Sequence, residues 1–303
     1  MKITFLGTSS ATPTLRRGLP AVALQRDGEV LLFDCGEGTQ MQLQKVEVRP
    51  SRIAMLLVTH LHGDHVTGIM GLLMSLKLAG RTEPLIIHGP AGIKDYVLGS
   101  MRYLRLRVDF ALSVEEVVPG DVLHRAGYDI SVFPLDHTVP TLGYALEENM
   151  RPGRFNVERA RALGVPEGPM WGRLQRGDCV LLPDGRTVAP AEVLGQPRRG
   201  RKIVYALDTA PCRDAISAAA GASVLIHDAT FAPEEEALAR QRKHSTSVEA
   251  AAIAQEAAVE QLYLTHISAR YTHAAPLMRG VRRLLPTARI AHDLMDVEIP
   301  LRE

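Results

Sequence analysis

Ile53-Ala54-Met55-Leu56-Leu57-Val58, followed at once by Thr59-His60-Leu61-His62-Gly63-Asp64-His65, decides how the rest of the 303-residue chain is read. The apolar run has the length and composition of a strand. The six residues after Thr59 hold three histidines and one aspartate. Imidazole and carboxylate are the ligand types of Zn²⁺ and similar divalent ions. A single histidine after a strand is usually structural, but four ligand-type side chains crowded on one turn call for a metal. Gly63 lets that turn close tightly enough for them to converge.

A metal centre needs further ligands, and candidates recur at comparable positions. His137 follows the apolar run 130–135, Asp208 follows 203–207, and His266 follows 261–264. Each sits where a strand runs out, the place at which ligands gather in layered α/β folds. His60, His62, Asp64, His65, His137, Asp208 and His266 are too many for one four-coordinate ion. They suit two: His60, His62 and His137 on one, Asp64, His65 and His266 on the other, with Asp208 bridging. Paired ions roughly 3.5–4 Å apart acidify a shared water and clamp both oxygens of an in-line displacement at phosphorus, so hydrolysis is the implied reaction class. Asp64 is also placed to orient or deprotonate the water. His227-Asp228-Ala229-Thr230 and His244-Ser245-Thr246 form a further cluster. His244 is not needed as a ligand and is a candidate general acid beside the leaving oxygen. Asp228 would hold that imidazole protonated and correctly turned. His88, His124, His273 and His292 lack such context.

Further strand-length runs lie at residues 2–6, 21–25, 29–34, 85–87, 142–146 and 223–226, and Asp27-Gly28 reads as a hairpin turn between two of them. Helical spacing covers 68–78 and 91–105. An alanine-rich helix over 247–258 opens with the capping box Thr246-x-x-Glu249. Hairpins first, then strands alternating with helices, argue a layered α/β fold. Lys and Arg number 35 against 34 Asp and Glu, a net charge of +1 that by itself speaks against a nucleic-acid partner. The charge is uneven, however. Residues 150–202 hold eleven Lys and Arg against five Asp and Glu, amid many prolines and glycines and little periodicity. Such a stretch reads as a basic insertion projecting from an acidic core. Cys35, Cys179 and Cys212 are too scattered for a disulfide framework or a cysteine-type zinc site, and are expected as free thiols. No stretch approaches the ~18 apolar residues of a membrane span, and residues 2–6 end at Gly7 with no signal-peptide core after them. The expectation is a soluble cytoplasmic protein with no membrane partner.

Together these motifs resemble the metallo-β-lactamase superfamily and, within it, the ribonuclease Z family of tRNA 3′-processing endonucleases. The narrower likeness rests on Phe33-Asp34-Cys35-Gly36-Glu37-Gly38-Thr39-Gln40, on the His227 and His244 stretches, and on Leu264-Thr265-His266-Ile267-Ser268-Ala269-Arg270-Tyr271. Gly164-Val165-Pro166-Glu167-Gly168-Pro169 falls where that family carries a Gly-Pro motif in a flexible tRNA-gripping arm. The resemblance implies an α/β fold, the metallo-β-lactamase αβ/βα four-layer sandwich with a protruding flexible arm. It makes residues 1–303 a single domain with about 150–200 as the inserted arm. It also implies two Zn²⁺ per subunit, positions that Mn²⁺ or Co²⁺ can share. The substrate would be precursor tRNA, cut to leave a 3′-hydroxyl on the tRNA and a 5′-phosphate on the trailer. The enzyme would be a homodimer in which one subunit's arm helps hold the tRNA cleaved by the other. Asp64 becomes the proton acceptor and His244 a catalytic residue, while Arg17, Gly164, Pro166, Gly168 and Pro169 become tRNA contacts.

Two departures stand out. The family's Pro-x-Lys-x-Arg-Asn is here Pro13-Thr14-Leu15-Arg16-Arg17-Gly18, and Asp228 stands where Glu is usual. The shorter carboxylate requires the backbone to approach His244 more closely. The competing readings are a hydrolase of small phosphodiester, sulfate-ester, thioester or lactam substrates on the same scaffold, and a binding protein with an idle zinc site. The basic insertion argues against the first, and the full ligand set with His244 against the second.

Overall fold

Ile3, Phe5, Val22, Leu24, Leu31, Phe33, Met55 and Leu57 occupy every second position of their strands, and all eight lie in one buried cluster. That period of two is the signature of a sheet with one face turned inward. In the computed structural model, which describes residues 1–301, the principal strands are β1 (Lys2–Gly7), β2 (Ala21–Arg26), β3 (Glu29–Phe33), β4 (Ile53–Leu57), β5 (Leu85–Gly89), β6 (Leu112–Glu116) and β7 (Val122–Arg125). They continue with β8 (Tyr128–Leu135), β9 (Thr141–Glu148), β10 (Lys202–Ala206), β11 (Val224–Asp228), β12 (Gln261–Thr265), β13 (Arg289–Ile290) and β14 (Met295–Glu298). One sheet has the order β14-β1-β2-β3-β4-β5-β6 and the other β13-β12-β11-β10-β9-β8-β7.

The inward residues of the first sheet meet Tyr128, Ile130, Tyr144, Tyr205, Ile226 and Tyr263 of the second in that shared cluster. The alternate residues face outward. Ala21, Ala23, Leu32 and Leu56 pack with Leu43, Ile69, Leu73, Ile93 and Val97, which belong to the helices Thr39–Leu43, Ile69–Leu78 and Ile93–Tyr103. Val204, Leu225, Leu262 and Leu264 pack with Ala215, Ala250, Ala254 and Val281 of the helices Arg213–Ala219, Ser247–Glu256 and Val281–Leu284. Helix, sheet, sheet and helix therefore stack as four layers, the α/β sandwich expected from the sequence.

The turn and capping signals of the sequence are present in the fold, with boundary shifts that have causes. Asp27 and Gly28 both adopt positive φ, 45° and 89°, and join paired Arg26 and Glu29 as a two-residue hairpin turn. Thr246 and Glu249 form the reciprocal capping box. The second helix begins at Ile93 rather than residue 91, because Gly92 takes a left-handed conformation ahead of it. The strand expected over 223–226 runs two residues further, since His227 and Asp228 pair in parallel register with Leu264 and Thr265 of β12. Asp228 is thus the last residue of a strand, not a residue following one.

Backbone hydrogen bonds help dock the loop after β4 against the end of β3. Cys35 N–H donates to the His65 carbonyl at 2.8 Å, and Gly68 N–H donates to the Cys35 carbonyl at 2.9 Å. A Cβ on Gly68 would stand 2.0 Å from the Gly36 carbonyl oxygen, and one on Gly36 would stand 2.5 Å from that of Asp64. Only glycines permit this approach.

Residues Glu147–Arg201 form a second compact unit. It contains the helices Val157–Ala162 and Pro169–Gln175 and a two-residue strand pair, Val180–Leu181 with Thr187–Val188. Its own small core comprises Ala160, Val165, Leu174, Val180, Leu182, Val188 and Val193. Elements this short carry too few repeats to show periodicity in sequence, which is why the segment reads there as loop. At its root the buried Arg201 guanidinium meets Glu148 in two bonds, Nε to Oε2 at 2.7 Å and Nη2 to Oε1 at 2.8 Å.

Gly68→Ala should cost about 1–3 kcal/mol or more, as overpacking does, and Gly99→Ala, where a Cβ meets nothing within 4 Å, should cost nothing comparable. Urea unfolding of the two variants checks the contrast; equal effects would show that the Gly36–Gly68 contact is not tight.

Candidate active site

Strand ends deliver the polar residues. Asp34 follows β3, Thr59 and His60 follow β4, and His62 is the N-cap of the short helix Gly63–Val66 that carries Asp64 and His65. His137, Asp208 and His266 follow β8, β10 and β12, and Asp228 closes β11. Asp34, Asp208 and His266 take positive φ, 53°, 53° and 60°. A left-handed conformation costs a non-glycine residue roughly 1–2 kcal/mol, and here it recurs at the ends of β3 in one sheet and of β10 and β12 in the other.

The side chains fall into two groups that share Asp208. Its Oδ1 is 3.2 Å from His65 Nε2 and 3.1 Å from His266 Nε2. Its Oδ2 is 3.7 Å from both His60 Nε2 and His137 Nε2. His62 Nδ1 lies 3.4 Å from His137 Nε2, and Asp64 Oδ2 lies 3.5 Å from the Nε2 atoms of His65 and His266. Ligands on one tetrahedral ion with bonds of ~2.0–2.1 Å stand about 3.3 Å apart, so these spacings are those of atoms around a common cation.

The far side of four of the five candidate ligand rings is already committed. His65 Nδ1 donates to Asp34 Oδ2 at 2.8 Å, and His137 Nδ1 donates to the Lys243 carbonyl at 2.9 Å. His60 Nδ1 bonds Thr59 Oγ1 at 3.0 Å, and that hydroxyl donates to Asp34. His266 Nδ1 bonds Thr230 Oγ1 at 2.8 Å, and that hydroxyl donates to Asp228 Oδ1 at 2.6 Å. Because a carboxylate or carbonyl can only accept, each Nδ1 must carry a proton, and in the neutral ring Nε2 is then the atom that presents a lone pair. His60 Nε2, His65 Nε2, His266 Nε2 and Asp208 Oδ1 are buried without a hydrogen-bond partner among the described residues. Orphaned buried atoms are costly; a divalent ion satisfies all four together.

The electrostatics agree. Burial, then the neighbouring His65, pushes the His60 imidazole down to about 2, so it stays neutral as a ligand must. Burial also opposes charge on His65, but Asp208 and Asp34 outweigh it and drive that imidazole well above its ordinary range. The site thus attracts positive charge. Beside it, His244 Nδ1 donates to Asp228 Oδ2 at 2.7 Å. The aspartate therefore reaches the imidazole directly, despite being one methylene shorter than the usual Glu. Burial lowers His244, yet Asp228 more than reverses this and lifts it to about 9.

All nine residues expected in the metal and acid–base machinery meet at this edge, on a cleft of about 540 Å³ that His62, Asp64, His137, Asp208, His244 and His266 help to line. Arg17 is not on it. Its half-buried guanidinium donates through Nη1 to Thr8 Oγ1 at 2.7 Å and to the Ala291 carbonyl at 2.8 Å. These two bonds brace the loop that carries it. Gly164, Pro166, Gly168 and Pro169 lie in the second unit around the turn between its helices, with Pro169 at the first helical position. His88 is buried, and His124, His273 and His292 are exposed elsewhere. Asp34, Thr59, Tyr205 and Thr230 received no individual role from the sequence. Tyr205 OH donates to Asp34 Oδ2 at 3.0 Å, so both carboxylate oxygens of Asp34 are used in holding the histidine loop. An acid ending the strand before β4 was the available signal.

A two-sheet sandwich with a divided His/Asp cluster at the strand ends defines the metallo-β-lactamase class, and the family description "Beta-lactamase superfamily domain" matches residues 188–267. The description "Anti-Pycsar protein Apyc1" matches residues 1–150. A ribonuclease Z from Acaryochloris marina is 43% identical, the alignment covering 100% of this chain and 98% of that protein. One from Methanosarcina acetivorans is 44% identical, covering 100% and 99%. The crystal structure of human tRNase Z, short form, superposes with a TM-score of 0.72 at 27% identity, over 99% of this chain and 100% of that one. The chain belongs to the ribonuclease Z family.

Replacing Asp34 by Asn should lower metal affinity 10- to 100-fold, the usual effect of losing a carboxylate that orients a ligand histidine. Chelator competition with Zn²⁺ measures it. An unchanged affinity would make Asp34 a purely structural residue.

Proposed function

We propose that the chain is a zinc-dependent endoribonuclease that removes the 3′ trailer from precursor tRNA, leaving a 3′-hydroxyl on the tRNA and a 5′-phosphate on the trailer. The observation that carries this reading is the meeting, in one open cleft, of a metal-ligand cluster divided by Asp208 with the His244–Asp228 pair. End-to-end identity of 43–44% to ribonucleases Z supplies the substrate class.

In this reading His60, His62, His137 and Asp208 hold one Zn²⁺, and Asp64, His65, His266 and Asp208 hold the other. When bound, the ions supply an acidified water and neutralise charge on the phosphate. Asp64 accepts a proton from the attacking water; the Ala11 N–H, donating to its Oδ2 at 2.8 Å, fixes the carboxylate's orientation. His244, lifted to about 9, carries its proton at neutral pH. With Nδ1 held by Asp228, its Nε2–H is delivered to the 3′-oxygen as the P–O bond breaks. The basic insertion, including Gly164, Pro166, Gly168 and Pro169, grips the tRNA. The enzyme acts as a cytoplasmic homodimer.

His244→Ala should reduce kcat by roughly 10²–10⁴, the range for a general acid, with bound metal unchanged by elemental analysis. Loss of metal in that variant would make His244 a ligand instead. Replacing residues 151–197 by a short Gly-Ser linker should abolish cleavage of a trailer-bearing precursor tRNA while a small chromogenic phosphodiester is still hydrolysed. If both substrates were lost, or both kept, the insertion would not be the tRNA-gripping element.

A further inference from the structure

The segment that ends in His244 carries three cations, Arg240, Arg242 and Lys243, and a fourth, Arg270, lines the same cleft as Arg242. Three of the four are neutralised. Arg240 Nη2 is 2.6 Å from Glu236 Oε1, and Lys243 Nζ is 2.8 Å from Asp136 Oδ1. Arg270 pairs with Glu235 and lies over the Phe231 ring, 5.1 Å from its centroid. Arg242 is different. It is exposed and lines the cleft with His62, Asp64, His137 and His244. It has no carboxylate or hydrogen-bond partner among the described residues.

Its backbone is nonetheless held tightly against the reaction centre. Lys243, next in the chain, takes a left-handed φ of 54°, and its carbonyl accepts His137 Nδ1 at 2.9 Å. His244 N–H donates to the Ala239 carbonyl at 2.9 Å, closing the end of the helix Glu236–Arg242. A free guanidinium is therefore mounted one residue from a carbonyl that orients a ligand histidine and two residues from the imidazole facing the leaving oxygen. A guanidinium matches phosphate oxygens with paired N–H donors, and an unpaired one loses no existing partner on binding.

We propose that Arg242 is a substrate-binding residue that engages a backbone phosphate flanking the scissile one. This rests on the endoribonuclease reading. It goes beyond that reading by placing a cleft contact on the body of the protein, distinct from the basic insertion. The contact reads the presence of a continuing chain and not the identity of a base, so it favours polynucleotide over isolated diesters.

The test compares wild type with Arg242→Gln and with Arg240→Gln, whose guanidinium is already paired outside the cleft. On a trailer-bearing precursor tRNA, Arg242→Gln should lower kcat/KM roughly tenfold, mostly through KM, as loss of one charged hydrogen bond does. The slope of log affinity against log salt should become shallower by about 1. Arg240→Gln should match wild type in both. The loss on bis(p-nitrophenyl) phosphate, which has no flanking phosphate, should be smaller than on RNA. Neutral methylphosphonate placed in turn at each linkage beside the cut should, at one of them, remove the difference between wild type and Arg242→Gln. Equal losses on RNA and on the small diester, or a difference that persists with both flanking linkages neutral, would overturn the proposal. Failure of the wild type to cleave any precursor tRNA would overturn the endoribonuclease reading instead, and the two failures are distinct.

Discussion

Asp208 and the ring nitrogens turned toward it are the constraint on which everything else depends. Its two oxygens stand within 3.1–3.7 Å of four imidazole nitrogens, three of them without a hydrogen-bond partner among the described residues. Four rings cannot all present lone pairs to a buried carboxylate without unscreened repulsion, and with no cation there His65 is driven toward its charged form. A cation converts each of these unfavourable approaches into a bond. The protein has accordingly arranged everything beyond the rings to keep the lone pairs pointing inward: a carbonyl, two hydroxyls and a carboxylate each take up one Nδ1–H.

The sandwich makes that arrangement possible because β10, β11 and β12 run parallel, with β3, β4 and β5 parallel in the opposite sheet. Parallel neighbours end together, so Asp208, Asp228 and His266 emerge side by side. Asp34 and the histidine loop after β4 do the same. The inner core beneath them is rich in aromatic rings, including Phe33 and Tyr205 at 5.0 Å. The Tyr205 hydroxyl, buried there, finds its acceptor in Asp34. One contact thus ties the interior of the second sheet to the metal loop of the first.

Much of this was legible in the sequence because it is written in local signals. The ligand-dense turn, the strand-end positions of His137, Asp208 and His266, the Asp27-Gly28 turn and the Thr246 capping box each depend on residues close in the chain. What was not legible depends on contacts between distant segments. Asp34 and Thr230 were visible only as parts of motifs, since their partners are 31 and 36 residues away. The bond from Arg17 to Ala291 was not legible because its partner lies 274 residues on in the chain. The second unit resembled a loop because helices of six and seven residues and two-residue strands are too short for a periodic pattern.

The place where that second unit enters the chain has its own consequence. It leaves from the end of β9 and returns into β10, and these strands are immediate neighbours in the sheet. A segment with its own core, closed at the root by Glu148 and Arg201, thus occupies the position of an ordinary hairpin loop. Such a module can be lengthened, recharged or exchanged without altering strand order, register or any residue around Asp208. This unit and the residues at the strand ends are then free to diversify at different rates in different stretches of the same gene.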